Sequence, residues 1–244
     1  MRNLLSLKNF QPQDWTPYFD KLFLTRLLRE IMKHNKLLTN TILLTVLLTI
    51  GFGCKSINIP SFGGGMSEST DPKTAVTTAY KKFRDAKFYH SMTTSKNSLA
   101  TIETELDFNS PDRFWIKNKM PNMKSEVITV GTDSYSRINE GKWTKMPTGQ
   151  GLNVNDMRGK MMDDSMAAMK DFEFVSKESI NGKDTLVYKF KSTYGGDSSS
   201  KIWVSADSGL PLKVETDGSY SGTNVNMSIA YDYDKEMKIE IPKL

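Results

Sequence analysis

The chain of 244 residues has only one cysteine, Cys54. A domain that follows it has no disulfide of its own and must be held by a hydrophobic core, for which the remaining ~190 residues are sufficient. Histidine is almost as scarce, with His34 and His90 alone, and no H-E-x-x-H, G-x-S-x-G or His/Cys metal motif is present. The sequence therefore indicates a protein that is not an enzyme, with no metal and no cofactor.

A strong excess of one charge is also missing from most of the chain. Seven of the 33 basic residues and three of the 28 acidic residues precede Cys54, which leaves 26 basic against 25 acidic residues after it. The net charge of +5 thus comes mostly from the N-terminal part. A nearly neutral domain lacks the positive charge on which nucleic-acid binding depends, so we expect no nucleic-acid partner.

The apolar run that ends at Cys54 has the layout of a secretory signal peptide. Lys33 and Lys36 precede the apolar residues 37–52, and Gly53 stands directly before the cysteine. The run is at the short limit for crossing a bilayer, which favours cleavage over an uncleaved signal anchor. The position of Cys54 resembles the lipobox of bacterial lipoproteins, in which the cysteine is lipidated and becomes the new N-terminus.

These features divide the chain into four parts. Residues 1–31 form a doubtful N-terminal extension, because Met32 directly precedes the basic cluster and is a plausible start; the alternative is an amphipathic segment that lies on a membrane surface. Residues 32–53 are the predicted signal peptide. Residues 54–71 contain the lipidated cysteine and a tether rich in glycine and serine. Residues 72–244 form the predicted domain.

Two helices and a series of strands are predicted within this domain. Asp71 and Pro72 are a helix-start signal, and the apolar spacing extends a first helix over residues 72–92, with His90 partly exposed near its end. A second helix is expected over residues 154–170. Residues 139–141 predict a hairpin turn with Gly141 at positive φ. Alternating or β-rich segments predict strands at residues 102–108, 114–116, 127–129, 133–138, 142–146, 172–180, 186–190, 201–206, 212–216, 225–233 and 237–241.

With about nine or ten of these segments as strands joined by tight turns, the sequence predicts an α+β fold that is mainly antiparallel β. A flat sheet of that width is unusual, so we expect a strongly curved open β-barrel covered by the two helices. Five methionines occur between positions 157 and 169. Flexible methionine side chains suit a surface that adapts to irregular ligands, and the alternative is a helix that simply plugs the sheet.

The order helix, strands, helix, strands resembles the LolA/LppX-type lipoprotein carriers. The resemblance covers residues 72–244 and is carried by residues 136–143, 182–188, 202–213 and 231–233. Its most specific part is residues 203–213, a strand, a D-x-G turn and a returning strand that begins with Leu210 and Pro211. The resemblance implies an unclosed barrel capped by helices, with a cavity that takes the acyl chains of lipids or lipoproteins.

The resemblance and Cys54 together predict an exported, membrane-anchored lipoprotein of the carrier, acceptor or sensor type. Its cargo would be a lipid or an acylated protein, and it would contact the membrane through its lipid anchor. Lys55 after the lipidated cysteine favours the periplasmic side of the outer membrane over the inner membrane. The predicted ligand-binding residues are Leu106, Phe108, Phe114, Ile116, Met162, Met166, Met169, Tyr188, Phe190, Met227, Ile229 and Tyr231.

A second hypothesis is a structural or interaction lipoprotein of the cell envelope. In it the same apolar residues form a dry, filled barrel. Trp115, Trp143 and Trp203, or the loops, would then contact a protein partner.

Overall fold

The computed structural model describes residues 66–147, 154–220 and 223–244. The predictions about the extension 1–31, the signal peptide 32–53 and Cys54 lie outside the described residues, as does the tether up to residue 65. No helix in the described ranges is long and apolar enough to cross a membrane.

The described residues form two helices and eleven strands. The helices are α1 (Pro72–Arg84) and α2 (Val154–Ala167). The strands are β1 Phe88–Lys96, β2 Thr101–Asn109, β3 Arg113–Met120, β4 Met123–Val130, β5 Asp133–Ile138, β6 Thr144–Lys145, β7 Met169–Ile180, β8 Lys183–Ser192, β9 Ser198–Ser205, β10 Pro211–Tyr220 and β11 Thr223–Asp232.

All eleven strands belong to one antiparallel sheet. Their order is β6-β5-β4-β3-β2-β1-β11-β10-β9-β8-β7, so the chain starts in the middle of the sheet, builds one half outward to β6 and returns from the far edge to β11. The edge strands β6 and β7 are not paired with each other. The predicted fold class, an open curved barrel with two helices, is confirmed.

The first helix is eight residues shorter than predicted. Its start agrees with the prediction, since the Asp71 carboxylate accepts a hydrogen bond from the Thr74 backbone N–H at 2.8 Å. Residues 88–92 were expected to continue the helix but form the first part of β1, which pairs with β2 on one side and β11 on the other. Pairing with two strands outweighs the helical spacing of the apolar residues, and it places His90 in a strand.

The second helix ends at Ala167, three residues before its predicted end. Met169 was expected on this helix but is the first residue of β7. It is still buried, with 9% of its surface exposed. One of the five closely spaced methionines is therefore part of the sheet.

The predicted strand 237–241 is not a strand. Residues 233–244 follow β11 but do not pair with any strand of the sheet. Two of their backbone carbonyls accept hydrogen bonds from side chains instead. Asn109 Nδ2 donates to the Met237 carbonyl at 2.7 Å, and an Arg113 guanidinium N–H donates to the Ile239 carbonyl at 3.0 Å. This docking buries Ile239 and half-buries Met237, whereas Ile241 at the end of the apolar alternation is 55% exposed.

The hairpin turn at residues 139–141 is present, but its geometry differs from the prediction. Positive φ occurs at Asn139 and Glu140 rather than at Gly141. The strand after the turn is also shorter than expected, because only Thr144 and Lys145 pair with β5.

Strand register separates the sheet into two faces. The inner face carries α1 and the described end of α2, and its residues include Tyr89, Leu106 and Ile202. The outer face carries charged side chains such as Glu105, Lys117 and others on the same strands. This alternation of inner and outer residues is the half-buried pattern that the sequence predicts.

Candidate functional site

A first apolar cluster lies on the inner face between α1, α2 and strands β1–β3. Phe83 of α1 contacts Tyr89 and Tyr231, with ring centroids 4.8 Å apart in both pairs. Met162 of α2 packs into the same cluster. The cluster consists of Phe83, Tyr89, Leu106, Phe108, Phe114, Ile116 and Met162, with Tyr80, Ala86, Val127, Met166, Tyr231 and Tyr233 against it.

A second apolar cluster lies on the same face towards β7. The small side chains of Ala75, Val76 and Ala79 let α1 approach the sheet closely. Tyr80 closes one side through an edge-on contact with Phe190, at 6.2 Å between ring centroids. The buried members are Ala75, Val76, Ala79, Met169, Leu186, Tyr188, Phe190, Ile202, Val204 and Val214.

Tyr80, Met166 and Tyr231 contact both clusters and join them into one apolar surface. Each tyrosine keeps some exposed area, yet desolvation raises the pKa of Tyr80 and of Tyr231 well above the usual value for tyrosine. Both hydroxyl groups therefore stay neutral at physiological pH. The joined surface carries no charge on these rings and suits an apolar ligand.

The structure brings the twelve predicted ligand-binding residues to this one face. Five belong to the first cluster, three to the second, and Met166 and Tyr231 to both. Met227 and Ile229 are buried further along β11 on the same face. Such burial suits a cavity wall and a dry core equally, so contact with a ligand stays a prediction. Side chains of Met157 and Met161 lie outside the described residues.

Polar residues also occupy the inner face, which the sequence analysis did not single out. The buried polar residues include Ser91, Thr93, Ser95, Thr104 and Asn118. They stand at inward positions of β1, β2 and β3, where apolar residues would be expected. The sequence could have shown these residues, because they occupy the alternate positions of a strand that point to the same face as its apolar residues.

A charged network lies on the outer face across β1, β2 and β3. His90 Nδ1 is 2.7 Å from Asp107 Oδ1, and Lys117 Nζ is 2.6 Å from Glu105 Oε1. His90, Glu105 and Asp107 offer three metal-ligating atoms within 4.8 Å of one another. Because the Lys117 ammonium already neutralises Glu105, we interpret the group as an ion network rather than a metal site. Sequence motifs missed it because its members come from three strands.

The protonation of His90 follows from this network. The hydrogen bond to Asp107 is the largest cause that raises the pKa of His90 above 6.5, and the negative charges of Asp107 and Glu105 add to it. Partial burial and Lys117 oppose the shift. The imidazole is thus a charge partner of a buried carboxylate.

We expect His90 to titrate above pH 6.5 in the folded chain. Since its pKa is higher folded than unfolded, its stabilising contribution is complete below the unfolded value of about 6.5 and is lost as pH rises through the folded pKa. NMR titration of the imidazole measures this, with His34→Gln to assign the signals. Asp107→Asn should lower the pKa of His90, whereas Asp133→Asn should not. An unchanged pKa in Asp107→Asn would contradict the assignment.

The three tryptophans of the second hypothesis are engaged within the chain. Trp203 is only 4% exposed, and its Nε1 donates to Glu178 at 2.6 Å. Trp115 donates to Glu126 at 3.1 Å. The Arg137 guanidinium lies 4.6 Å from the Trp143 ring centroid. These contacts reduce the ring surface that is available to a partner.

A polar pocket of about 370 Å³ lies where the C-terminal segment docks. Sequence reasoning missed it because residues 237–241 were expected to form a strand. Its walls carry both signs of charge, from Arg113 and Lys238 and from two glutamates. It is lined by Asn109, Ser110, Arg113, Glu236, Met237, Lys238, Ile239 and Glu240.

No protein-family model and no curated protein sequence matches the chain. Among solved structures, the fold is similar to that of the lipoprotein LppX of Mycobacterium tuberculosis, with a TM-score of 0.51, 10% identity and coverage of 71% of this chain and 100% of LppX. It is also similar to LprF from Mycobacterium bovis, with a TM-score of 0.50, 13% identity and coverage of 74% and 99%. The chain therefore has the fold of LppX and LprF, and the predicted LolA/LppX-type resemblance is confirmed at the level of the fold.

Proposed function

We propose that the chain is an exported, membrane-anchored lipoprotein that binds the acyl chain of a lipid or of an acylated protein at the inner face of its sheet. The observation that carries this proposal is the continuous apolar surface that joins the two clusters beneath α1 and α2. Binding, rather than catalysis, is what such an uncharged surface supports. The LppX-like fold agrees with this function.

The affinity would come from burial of hydrocarbon. Each methylene removed from water contributes about 0.8 kcal/mol, so one long acyl chain can bind without a charged anchor. Met162 and Met166 face the sheet from α2, and flexible methionines can adjust to chains of different shape. An open sheet with a helical cover allows this adjustment without opening the strand ladder.

A lipidated Cys54 would restrict the chain to one membrane. This favours an acceptor, a local lipid-binding protein or a sensor over a carrier that crosses the periplasm. Lys55 favours the periplasmic side of the outer membrane. The partners would be that membrane, through the anchor, and the lipid or acylated protein that is bound.

The alternative is a filled barrel that acts through its surface on a protein of the cell envelope. Tight packing of Phe83, Phe108 and Phe114, each at most 2% exposed, favours it in the first cluster. A lysine or arginine of the chain already lies over the ring of each of Trp115, Trp143 and Trp203, which argues against them as the contact surface. The loops are then the remaining candidates.

Native mass spectrometry of the full chain from a lipid-containing bacterial host tests the proposal. We expect two added masses, a covalent one that survives denaturation and a non-covalent one that is lost on organic extraction. Cys54→Ser should remove the covalent mass and retain the non-covalent one. A bare protein mass that does not change when fatty acid or phospholipid is added would support the filled barrel instead.

A further inference from the structure

Four polar residues form a row across the inner face, which we term the polar belt: Thr93, Thr104, Asn118 and Ser125. Thr93 pairs with Thr104, Thr104 with Asn118, and Asn118 with Ser125 in the strand registers of β1–β4. Thr104 Oγ1 donates to Asn118 Oδ1 at 2.8 Å, and Asn118 Nδ2 donates to Ser125 Oγ at 3.3 Å. Thr104, Asn118 and Ser125 are thus linked by hydrogen bonds, and Thr93 stands beside Thr104 at one end of the belt without a bond to it.

Apolar residues lie on both sides of the belt. Leu106 and Ile116 follow two residues further along their strands in one direction, and Ile102 and Met120 lie two residues away in the other. Two residues of a strand correspond to roughly 7 Å. A ligand that runs along the strands would therefore cross apolar surface, then the belt, then apolar surface again.

The hydroxyls of Thr93 and Tyr188 differ from the hydrogen-bonded hydroxyls of the inner face, because neither has a partner among the described residues. Of the two, only Thr93 lies in the polar belt. Thr129 and Ser134 bond to each other at 2.8 Å, and so do Ser200 and Thr216 at 2.9 Å. Thr93 is only 1% exposed, yet within the described part of the chain its Oγ1 makes no hydrogen bond. A buried hydroxyl without a partner has lost its hydrogen bonds to water and gained none in return, which destabilises the folded chain. A group from outside the chain would recover this free energy.

We propose that the Thr93 hydroxyl donates a hydrogen bond to an acyl carbonyl oxygen of the bound lipid. This inference rests on the proposed function and narrows the ligand to lipids whose chains are joined through an ester or amide carbonyl. A carbonyl oxygen accepts a hydrogen bond strongly and carries no charge, so it can enter a buried belt between apolar residues. Its hydrocarbon chain would extend over Leu106 and Phe108.

Binding of two lipids that differ only at the carbonyl tests this inference on the delipidated full chain. The probes are dipalmitoylglycerol and its dihexadecyl diether analogue. We expect the diester to bind about tenfold more tightly than the diether, as one buried hydrogen bond allows. Thr93→Val keeps the side-chain shape, and it should remove this preference by weakening diester binding about tenfold.

Thr129→Val is the matched control, since Thr129 lies on the same face but already bonds to Ser134. It should keep the tenfold preference for the diester. Equal affinity of the wild-type chain for both lipids, or an unchanged preference in Thr93→Val, would overturn the inference while leaving the proposed function intact. Failure of both lipids to bind the wild-type chain would overturn the proposed function itself.

The stability of the delipidated variants gives an independent readout. Thr93→Val should be at least as stable as the wild-type chain, because it removes a buried hydroxyl that has no partner. Thr129→Val should lower the melting temperature, because it leaves Ser134 without its partner. An equal loss of stability in both variants would show that the Thr93 hydroxyl is already satisfied without lipid, and it would overturn the inference.

Discussion

Replacing Phe83 by alanine is expected to lower the free energy of unfolding by about 3–5 kcal/mol, the range for a large aromatic side chain removed from a core. Phe83 is only 1% exposed and is the residue of α1 that is fully buried in the first cluster, with Tyr80 packed against its edge. Its ring contacts Tyr89 and Tyr231 at 4.8 Å and Tyr233 at 6.5 Å between centroids. The surrounding strands are fixed by their hydrogen bonds, so the space left by the ring cannot close easily.

Denaturant unfolding of the full chain, followed by far-UV circular dichroism, measures this loss. Leu99→Ala is the control, because Leu99 is 64% exposed in the turn between β1 and β2 and should change stability by no more than about 0.5 kcal/mol. A loss below about 1 kcal/mol in Phe83→Ala would mean that α1 contributes little to covering the sheet. In that case α1 could move away from the inner face to admit a ligand.

The inner face was predictable because alternation in a strand identifies the residues that share a face. Residues of β2 and β3 such as Leu106 and Ile116 were assigned to one face by this argument, and so were Tyr188 and Ile229 on the other half of the sheet. The structure places all of them on the inner face. What alternation cannot tell is whether that face is dry, since the same apolar pattern covers a cavity wall and a filled core.

Strand β1 was not predictable in the same way. Apolar residues Phe83, Ala86 and Phe88 continue the helical spacing of α1, and only pairing with β2 and β11 shows that the helix ends at Arg84. Segment 237–241 shows the reverse error, because it alternates like a strand but docks through side chains such as Asn109 and pairs with no strand. In both cases distant parts of the chain decide the local structure.

The network around His90 was hidden for a related reason. His90 and Asp107 are directly opposite in the register of β1 and β2, and Lys117 enters from β3. Asp107 and Lys117 follow His90 by 17 and 27 positions in the sequence, and no local motif connects the three residues. Because the sequence around His90 was interpreted as a helix, His90 could not be assigned to the same face of a sheet as Asp107 and Lys117.

Replacing His90 by alanine should destabilise the chain by about 2–3 kcal/mol, because it leaves the Asp107 carboxylate buried without its hydrogen-bond partner. Asp107 is fully buried, and its Oδ2 already lacks a hydrogen bond in the described structure, with Lys117 Nζ at 4.0 Å. We place the effect below that of a fully buried ion pair because 27% of the His90 side chain remains exposed, so that water can reach part of the site.

A double-mutant cycle separates this cost from general loss of packing. His90→Ala combined with Asp107→Asn should be more stable than His90→Ala alone, because the second change removes the charge that the first left unpaired. Lys145→Ala is the exposed control; Lys145 pairs with Asp133 at 2.8 Å, with both side chains more than a third exposed, and it should cost less than about 1 kcal/mol. If the double variant is no more stable than His90→Ala, the loss arises from packing of the imidazole. The buried carboxylate then depends on Lys117, and the His90 contact is not its principal partner.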